Sequence, residues 1–385
     1  MPRYIGLDLH KEYVHGCEWV PDADPGHKER HFRFPNTSAS WSRLIAQLTR
    51  DCWVAIEVTG SAFEIHDLLS PHAGRVLLAN PVELKRLGSG RHTDRSEALR
   101  LAKLLATDAI PAVWVPPVPV REVRRLLHYR QRLLTHHHRC IYQARAVLRR
   151  HGILIPHGAD VGRWATEVPE TVPLGDRLIF ESALRQVAML AEELAGLDIH
   201  IARVVADVPA VELLLTITGY GLIAAAATWA AIGDPRRFIH PKQLTRYAGL
   251  DPSVLQSGEE HYQGRISKNG NSLLRTVLVE AAHTVALHDT GSLRQFYLRK
   301  AKQIGHMKAI VALARKLLIV AWRMLLTGET YRAAKPHLVT RKHRHLQKLS
   351  TARSGANGDR VLAALVRQYW NPRVREARSR TKAPA

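Results

Sequence analysis

The sequence has little cysteine and a shortage of acidic charge. Its three cysteines, Cys17, Cys52 and Cys140, stand far apart and form no Cys-x-x-Cys pair. This spacing argues against a zinc site, and so few thiols suit the reducing cytoplasm, where we expect the protein to act. Asp and Glu number 34 against 56 Lys and Arg, which gives a formal net charge of +22. Such a charge favours polyanions over acidic small molecules, so nucleic acid is the leading partner.

The sequence also lacks a clear membrane signal. Met1 to Lys11 runs directly into a charged strand, so we expect neither a signal peptide nor a lipid or amphipathic anchor. One uncharged run, Leu213 to Gly233, has the length of a membrane span. Gly219-Tyr220-Gly221 interrupts it near the middle, which predicts two short helices joined by a tight hairpin in a soluble core. We therefore expect no membrane partner.

What is present is enough apolar sequence for several folded domains. The chain has 385 residues, of which 46% are hydrophobic. A chain of this length and composition is expected to hold two or three domains with real cores.

The first predicted strand carries a carboxylate among apolar residues. In Tyr4–Lys11 every second residue is apolar, and Gly6, Asp8 and His10 occupy the opposite face. A buried carboxylate costs several kcal/mol unless it is paired, hydrogen-bonded or bound to a metal. Asp8 is therefore either bonded to a neighbouring backbone amide at a strand end or part of a site completed by other residues.

The order of elements over the first hundred residues predicts a ribonuclease-H-like fold, βββαβαβα. In that architecture the fourth strand lies beside the first, so Glu57 is expected next to Asp8. The predicted strands are Tyr4–Lys11, Tyr13–Val20, His31–Phe34, Cys52–Val58 and Arg75–Ala79, and the predicted helices are Thr37–Arg50, Ala62–Leu69 and a stretch from Val82 into Ser96–Thr107.

Two further acids stand at the start of the last of these helices. Asp94 and Glu97 are three residues apart and project from one face if both are helical. The same spacing also fits a capping box, with Asp94 as the N-cap. Asp8, Glu57, Asp94 and Glu97 together could hold one or two Mg²⁺ (or Mn²⁺) ions that polarise a phosphate and activate a nucleophile.

The middle of the chain is predicted to be a pair of long helices. Prolines between Trp114 and Pro119 cannot continue a helix, which places a domain boundary there. Arg121–Arg150 is a basic helix with an apolar stripe, and Asp176–Val208 is a second long helix. The pair predicts either an antiparallel helical hairpin or a dimerising coiled coil.

The C-terminal part carries a candidate phosphate-binding turn and a candidate nucleophile. Gly219 and Gly221 resemble a helix-hairpin-helix element whose backbone amides approach a phosphate, although a buried hairpin without ligand fits equally. The polar, glycine-rich segment Gly249–Asn271 is predicted to be a loop between helices. Its Ser257 is our candidate nucleophile for a phosphodiester, with Ser253 and Ser267 as alternatives. These serines could instead only cap helices and stabilise turns.

The last third of the chain is predicted to be helical and basic, with helices at Leu273–His288, Leu293–Lys302 and His306–Leu326. The cationic clusters Arg341–His345 and Arg373–Lys382 are expected to make only sequence-independent backbone contacts.

Taken together, these segments resemble the DEDD transposases of the insertion-sequence one-ten family, whose relatives include the Piv-type DNA invertases. The resemblance covers roughly residues 4 to 325, and its last segment is the most specific. The matching segments are Ile5–Lys11, Ile56–Gly60, Thr93–Ala98, Gly219–Gly221 and Tyr247–Asn271.

The resemblance implies a RuvC-like N-terminal domain, a coiled-coil middle and a C-terminal transposase domain with a nucleophilic serine. It places the metal-binding acids on Asp8, Glu57, Asp94 and Glu97, and the serine on Ser257. Glu97 departs from the family pattern, which has Asp there; Glu is one methylene longer and still an oxygen donor. The predicted divisions are 1–113 for the RuvC-like domain, 114–208 for the linker and coiled-coil helices, 209–330 for the transposase domain and 331–385 for a basic tail.

We therefore predict an RNA-guided DNA recombinase that forms a covalent serine–DNA intermediate in the presence of Mg²⁺. The resemblance also implies a structured bridge RNA that pairs with donor and target DNA. A homo-oligomer, dimer or tetramer, and a composite active site are expected. The rivals are a metal-dependent resolvase or nuclease that uses water, and a non-catalytic nucleic-acid-binding protein. The residues predicted to contact nucleic acid are Lys11, Arg124, Arg125, Gly219, Gly221, Arg265, Lys268 and Asn269.

Overall fold

The computed structural model describes residues 2–87, 93–156, 164, 171–257 and 260–352, with the backbone alone at 253–257 and 260–265. The chain forms two compact units, Met1–Pro116 and Pro117–Ala385, here called unit 1 and unit 2. The finer division of unit 2 into coiled coil, transposase domain and tail stays a prediction.

Unit 1 is a five-stranded mixed sheet with helices on both faces. The strand order is β3-β2-β1-β4-β5. Strand β2 pairs antiparallel with both β1 and β3, whereas β4 pairs parallel with both β1 and β5. The strands are β1 (Arg3–Leu9), β2 (Tyr13–Trp19), β3 (Glu29–Pro35), β4 (Cys52–Glu57) and β5 (Arg75–Ala79), and the helices are α1 (Ser38–Ile45), α2 (Ala62–Leu69), α3 (Pro81–Arg86) and α4 (Asp94–Ala106). This order and topology are consistent with the predicted ribonuclease-H-like fold.

Side chains of β1 point alternately to the two faces of the sheet, so one set meets α1 and α2 and the other set meets α4. Ile5, Leu7 and Leu9 are buried in the core beneath α1 and α2. Burial of each such side chain contributes about 2 kcal/mol to the free energy of folding. Gly6 faces α4, where an added Cβ would lie 2.0 Å from the carbonyl oxygen of Ala98. Only glycine permits this close approach of helix and strand.

Two helix boundaries in unit 1 differ from the sequence prediction. α1 ends at Ile45 rather than at Arg50, and the chain makes backbone turns before β4 begins. The stretch predicted as continuously helical from Val82 separates into α3 and α4.

Unit 2 begins with the two long helices α5 (Val118–Arg150) and α6 (Leu174–Val205). They pack antiparallel within one chain, because Arg150 pairs with Asp176 at one end and Arg130 pairs with Asp198 towards the other, at 2.6 and 2.5 Å. With 33 and 32 residues, each helix is about 50 Å long. The chain thus forms the predicted antiparallel hairpin; a coiled coil between copies stays a prediction.

The rest of unit 2, as far as residue 352, is a helical bundle with a β-hairpin. The helices are α7 (Pro209–Leu215), α8 (Leu222–Ile232), α9 (Pro241–Tyr247), α10 (Ser272–His288), α11 (Ser292–Ile304), α12 (His306–Thr327) and α13 (Pro336–Thr351), and the strands are β6 (Pro252–Ser257) and β7 (Glu260–Ile266). The apolar run from Leu213 to Gly233 forms the predicted pair of short helices. Among the helices described, none is both long and apolar enough to cross a membrane.

One prediction for this bundle was wrong. The segment Gly249–Asn271 is not a loop, because most of it forms the antiparallel strands β6 and β7. The Arg341–His345 cluster lies on α13, where Arg341, Arg344 and His345 are exposed, and its contacts with nucleic-acid backbones stay a prediction. In that helix Leu346 is buried. Lys342 donates hydrogen bonds to the carbonyl oxygen of Leu215, the last residue of α7, and to that of Ile217, two residues later.

Candidate functional site

Two strands and one helix of unit 1 place the predicted carboxylates near one another. Asp8 follows Leu7, which pairs with Ile56 of the parallel strand β4, and Glu57 is the last residue of that strand. Neighbouring parallel strands therefore bring Asp8 and Glu57 to the same edge of the sheet. Asp94 and Glu97 lie in the first turn of α4, which packs on β1.

The start of α4 differs from the predicted capping box. Thr93 is the N-cap: its hydroxyl accepts from the backbone N–H of Ser96, and the Ser96 hydroxyl accepts from the N–H of Thr93. Asp94 is the first helical residue, and the capping reading of Asp94 with Glu97 was wrong. Neither carboxylate supplies the cap, which the side chains of Thr93 and Ser96 provide.

Asp8, His10 and Asp94 form the tightest part of the cluster, with one potential ligand atom from each lying within 4.8 Å of the others. The His10 Nε2 atom lies 3.1 Å from Asp8 Oδ2 and 3.5 Å from Asp94 Oδ2. The Tyr13 hydroxyl donates a hydrogen bond to Asp94 Oδ2 at 2.7 Å. These contacts fix the orientation of both aspartates.

The electrostatics of the cluster fit a cation-binding site. Burial raises the pKa of Asp8; neighbouring His10 opposes this rise, and the carboxylates of Asp94 and Glu97 add to it. Burial also raises the pKa of Glu57, and the charges of Asp8 and Glu97 contribute further. Crowded, partly buried carboxylates repel one another, and a divalent cation with oxygen ligands would remove that repulsion. The donor set therefore fits a hard metal ion.

Glu97 lies at the margin of this arrangement. It is outside the three-residue group, and its Oε2 atom lies 3.6 Å from Arg100 Nη1 on the same helix. Its charge nevertheless raises the pKa of both Asp8 and Glu57. Glu97 therefore contributes to the field of the site more clearly than to its inner geometry.

His10 and Tyr13 are the residues that the sequence reasoning missed. Their rings stack with centroids 4.5 Å apart, and the Arg33 guanidinium carbon lies 3.7 Å from the Tyr13 ring centroid. Strand alternation already places His10 on the face of Asp8. Tyr13 reaches the cluster because the β1–β2 turn is tight, with the His10 N–H bonded to the Tyr13 carbonyl oxygen at 2.9 Å.

The candidate serines lie in or beside the β6–β7 hairpin. Ser257 is the last residue of β6 and pairs with Glu260 at the turn end. The side chains of Ser257 and Ser253 lie outside the described part of the structure. The Ser267 hydroxyl donates to Asp251 Oδ1 at 2.6 Å, which joins the two ends of the hairpin.

Further bonds hold the base of this hairpin. Arg275 Nη1 donates to the carbonyl oxygens of Ala248 and Lys268, at 3.1 and 3.2 Å. Gly249 has a φ of +63°, and an added Cβ there would lie 2.5 Å from Arg275 Nη1. The hairpin base, residues 248–251 with 267–270 and Arg275, is thus fixed although the segment was predicted to be irregular.

The predicted nucleic-acid contacts occupy different settings. Lys11 is exposed in the β1–β2 turn, and Lys268 and Asn269 are exposed at the hairpin base. The Arg265 side chain lies outside the described residues. Arg125 forms an ion pair with Glu122 one turn earlier on α5.

Arg124 and the two glycines have structural roles. Arg124 donates to the carbonyl oxygens of Ala230 and Ala231, at 2.7 and 3.0 Å, at the C-terminal end of α8. This is a helix-capping role, and the contact of Arg124 with nucleic acid stays a prediction. Gly219 has a φ of +82°, and an added Cβ would lie 2.7 Å from the Ala281 carbonyl oxygen. Gly221 is the exposed N-cap of α8.

Comparison with known proteins identifies the family. Residues 211–298 match the profile described as Transposase IS116/IS110/IS902 family, and residues 5–153 match the DEDD transposase profile of IS110. The first match includes Ser257, and the second includes Asp8, Glu57, Asp94 and Glu97.

Several transposases resemble the chain over most of its length. The transposase for insertion sequence element IS1111A of Coxiella burnetii is 27% identical over 86% of this chain and 91% of that protein. A probable family 20 transposase of Pseudomonas aeruginosa is 27% identical over 85% of this chain and 98% of that protein. The transposase for insertion sequence element IS1328 of Yersinia enterocolitica is 24% identical over 73% and 85%, respectively. The chain belongs to the IS110 family of insertion-sequence transposases.

Proposed function

We propose that this transposase is guided by RNA and exchanges DNA strands through a covalent link between Ser257 and DNA, with Mg²⁺ or Mn²⁺ bound by unit 1. The observation that carries the proposal is the cluster of Asp8, His10 and Asp94, with Glu57 on the adjacent strand. A crowded acidic site at the edge of a ribonuclease-H-like sheet is suited to metal-assisted phosphoryl transfer.

The metal-binding residues in this proposal are Asp8, Glu57 and Asp94, with Glu97 as the fourth acid. A bound divalent cation would polarise the scissile phosphate and stabilise negative charge there. Tyr13 restricts the Asp94 carboxylate through its 2.7 Å hydrogen bond. His10 adds a nitrogen donor, which Mn²⁺ accepts more readily than Mg²⁺ does.

Ser257 is proposed as the nucleophile. Its hydroxyl oxygen forms a bond to the phosphorus while the bond from phosphorus to one deoxyribose oxygen breaks; the serine proton is lost to a base, and the departing oxygen takes up a proton to become a free hydroxyl. The phosphodiester energy is kept in the serine–phosphate link, so a freed hydroxyl of another strand can reverse the step. Strand exchange then needs no external energy source. The position of Ser257 at the turn end of a hairpin whose base is fixed supports this role.

The guide RNA and the oligomer are proposed from the family resemblance and from charge. α5 contains Glu122 as its single acidic residue, and no Asp or Glu occurs between Thr290 and Gly328. Stretches with so few acidic residues favour binding to phosphate backbones and do not select a nucleotide sequence. We propose a dimer or tetramer that binds one structured RNA and two DNA sites, and mass measurement of the RNA-bound protein tests it.

Ser267, one of the alternatives named from the sequence, is the second candidate nucleophile. Ser267 donates its hydroxyl proton towards the Asp251 carboxylate at 2.6 Å, an arrangement that could activate a serine as well as hold a hairpin. The water-using nuclease also remains a rival, because it needs only the acids. Membership of a transposase family argues against the non-catalytic binding protein.

One experiment separates these alternatives. Purified protein with its RNA is mixed with labelled donor and target DNA in Mg²⁺, and protein-linked label is measured on a denaturing gel. We expect an adduct in the wild type and in Ser267→Ala, and none in Ser257→Ala. Loss of the adduct in Ser267→Ala alone would transfer the role to that serine. Cleavage without an adduct in every variant would establish the nuclease instead.

A further inference from the structure

Unit 1 contains a cavity on the face of its sheet opposite to the carboxylates. The cavity has a volume of about 340 Å³ and lies between the first three strands and α1. Asp8 faces α4, whereas Arg3 and Ile5, at odd positions of the same strand, face the other way. Because α1 ends at Ile45, the turns that follow it form one wall, up to Leu48. Ligand pockets in proteins have volumes from about 300 Å³ upwards, so the cavity is large enough for a ligand.

The floor of the cavity is aromatic. Phe32 and Phe34 line it beside Ile5 and Leu44. The Phe32 ring lies against Gly16 of β2, where an added Cβ would be 2.2 Å from a ring carbon. The two phenyl rings are nearly parallel, at 9°, with centroids 6.2 Å apart. The glycine thus allows the ring to lie along the sheet, in a position suited to contact with another planar ring.

The rim of the cavity is cationic. Arg3 and Arg30 both bind the buried Glu18 carboxylate, at 3.1 and 2.5 Å, and Arg43 lines the cavity from exposed positions on α1. Arg33 also lines the cavity, but its guanidinium group lies over the Tyr13 ring. The guanidinium groups of Arg3, Arg30 and Arg43 against the one carboxylate of Glu18 leave an excess of two positive charges. The Arg30 side chain is 64% exposed although it pairs with Glu18, so its outer N–H groups can reach a ligand.

We propose that this cavity binds one unstacked nucleotide of a single-stranded nucleic acid, with the base against Phe32 and the phosphate near Arg30 and Arg43. An aromatic floor beside guanidinium groups matches a base joined to a phosphate, because bases stack on phenyl rings and arginines bind phosphate oxygens. The inference rests on the proposed function only in that the chain handles nucleic acid. It does not depend on Ser257 or on a metal.

The chemistry of the cavity distinguishes a single strand from a duplex. A paired and stacked base presents no free face to Phe32, so it would have to leave the duplex to enter. An exposed basic surface would instead bind duplex and single strand alike, through phosphates alone. The cavity is therefore expected to prefer strands with unpaired bases.

The test uses the full-length protein after nuclease treatment and a short single-stranded oligonucleotide with one 2-aminopurine, whose fluorescence falls when it stacks on an aromatic ring. We expect quenching on binding to the wild type. Phe32→Leu, which keeps an apolar floor, should abolish the quenching and weaken binding about tenfold. Phe32→Tyr keeps the ring and should retain both.

The role of charge is tested with Arg43→Gln, which should weaken binding about threefold. The control is Arg86→Gln, which removes an exposed charge on α3 and should leave the affinity unchanged. Circular dichroism confirms that each variant is folded. Equal affinity for duplex, unchanged quenching in Phe32→Leu, or equal effects of the two arginine variants would each overturn the proposal. Adduct formation at Ser257 is measured separately, so failure of this site and failure of the proposed function are distinguishable.

Discussion

The acidic cluster of unit 1 and the serine hairpin of unit 2 are positioned in different ways. Asp8 and Glu57 stand on neighbouring parallel strands, so their proximity follows from strand order. Ser257 stands at the end of a two-stranded hairpin whose base is held by Arg275 and by the Asp251–Ser267 hydrogen bond. A site on a sheet tolerates local change, whereas a site on an isolated hairpin depends on a few contacts at its base.

The largest effect should come from the acidic cluster itself. Asp8→Asn keeps the size of the side chain but removes the charge, so we expect strand cleavage to fall about a thousandfold. Affinity for RNA and DNA should stay nearly unchanged, which filter binding can show. Asp24→Asn, in an exposed turn of the same unit, is the matched control. Full cleavage by Asp8→Asn would remove the metal site from the proposal.

A smaller but still clear effect is expected at the hairpin base. Gly249→Ala puts a Cβ at positive φ and against Arg275, so adduct formation at Ser257 should fall about tenfold and the free energy of unfolding by about 1 to 3 kcal/mol. Gly196 lies within α6 with open space around its Cα, and Gly196→Ala should stabilise the protein by up to about 1 kcal/mol. Adduct yield and chemical denaturation measure the two quantities. If both alanines behave alike, the hairpin base does not position the serine.

A third prediction concerns the hydrogen bond that orients Asp94. Tyr13→Phe removes the 2.7 Å bond and keeps the ring between His10 and Arg33, so Mn²⁺ affinity should fall about fivefold. Isothermal calorimetry measures this directly. Tyr142→Phe changes an exposed tyrosine of α5 and should leave the affinity unchanged. Equal Mn²⁺ affinity in Tyr13→Phe and the wild type would show that Tyr13 does not orient a ligand.

The smallest expected effect is a pH dependence of stability that comes from one lysine of unit 2. Burial lowers the pKa of Lys342 in α13 from its ordinary 10.5 to about 8. Between these values the unfolded chain binds more protons at this lysine than the folded one, so its contribution to stability rises with pH. From pH 8 to 10.5 the wild type should gain about 1 kcal/mol relative to Lys342→Met, as measured by urea denaturation. A pH-independent difference would show that this lysine stays charged when folded.

The sequence predicted the acidic cluster better than the hairpin, for physical reasons. Strand β5 and helix α2 have the predicted bounds, and strand order alone brought Glu57 to Asp8. The β6–β7 hairpin was missed because its glycines and polar residues obscure the alternation of a strand.

Long-range contacts of side chains were also beyond the sequence. Arg124 caps a helix 106 residues away, and Tyr13 reaches Asp94 across 81 residues. No spacing in the sequence indicates such partners. Helix α13 was missed because its many cations resemble a solvated tail, although Leu346 gives it an apolar anchor.

The contact at Gly6 has a consequence for how precisely the acids are held. Backbone atoms of β1 and α4 touch there without any side chain between them, and an added Cβ would lie 2.7 Å from the backbone nitrogen of Ala102. Side chains rotate and adapt, but two backbones in direct contact cannot move closer. The separation of the backbones that carry Asp8 and Asp94 therefore has a lower limit set by the polypeptide itself, so any adjustment of the proposed site to a smaller ion has to come from rotation of the two side chains.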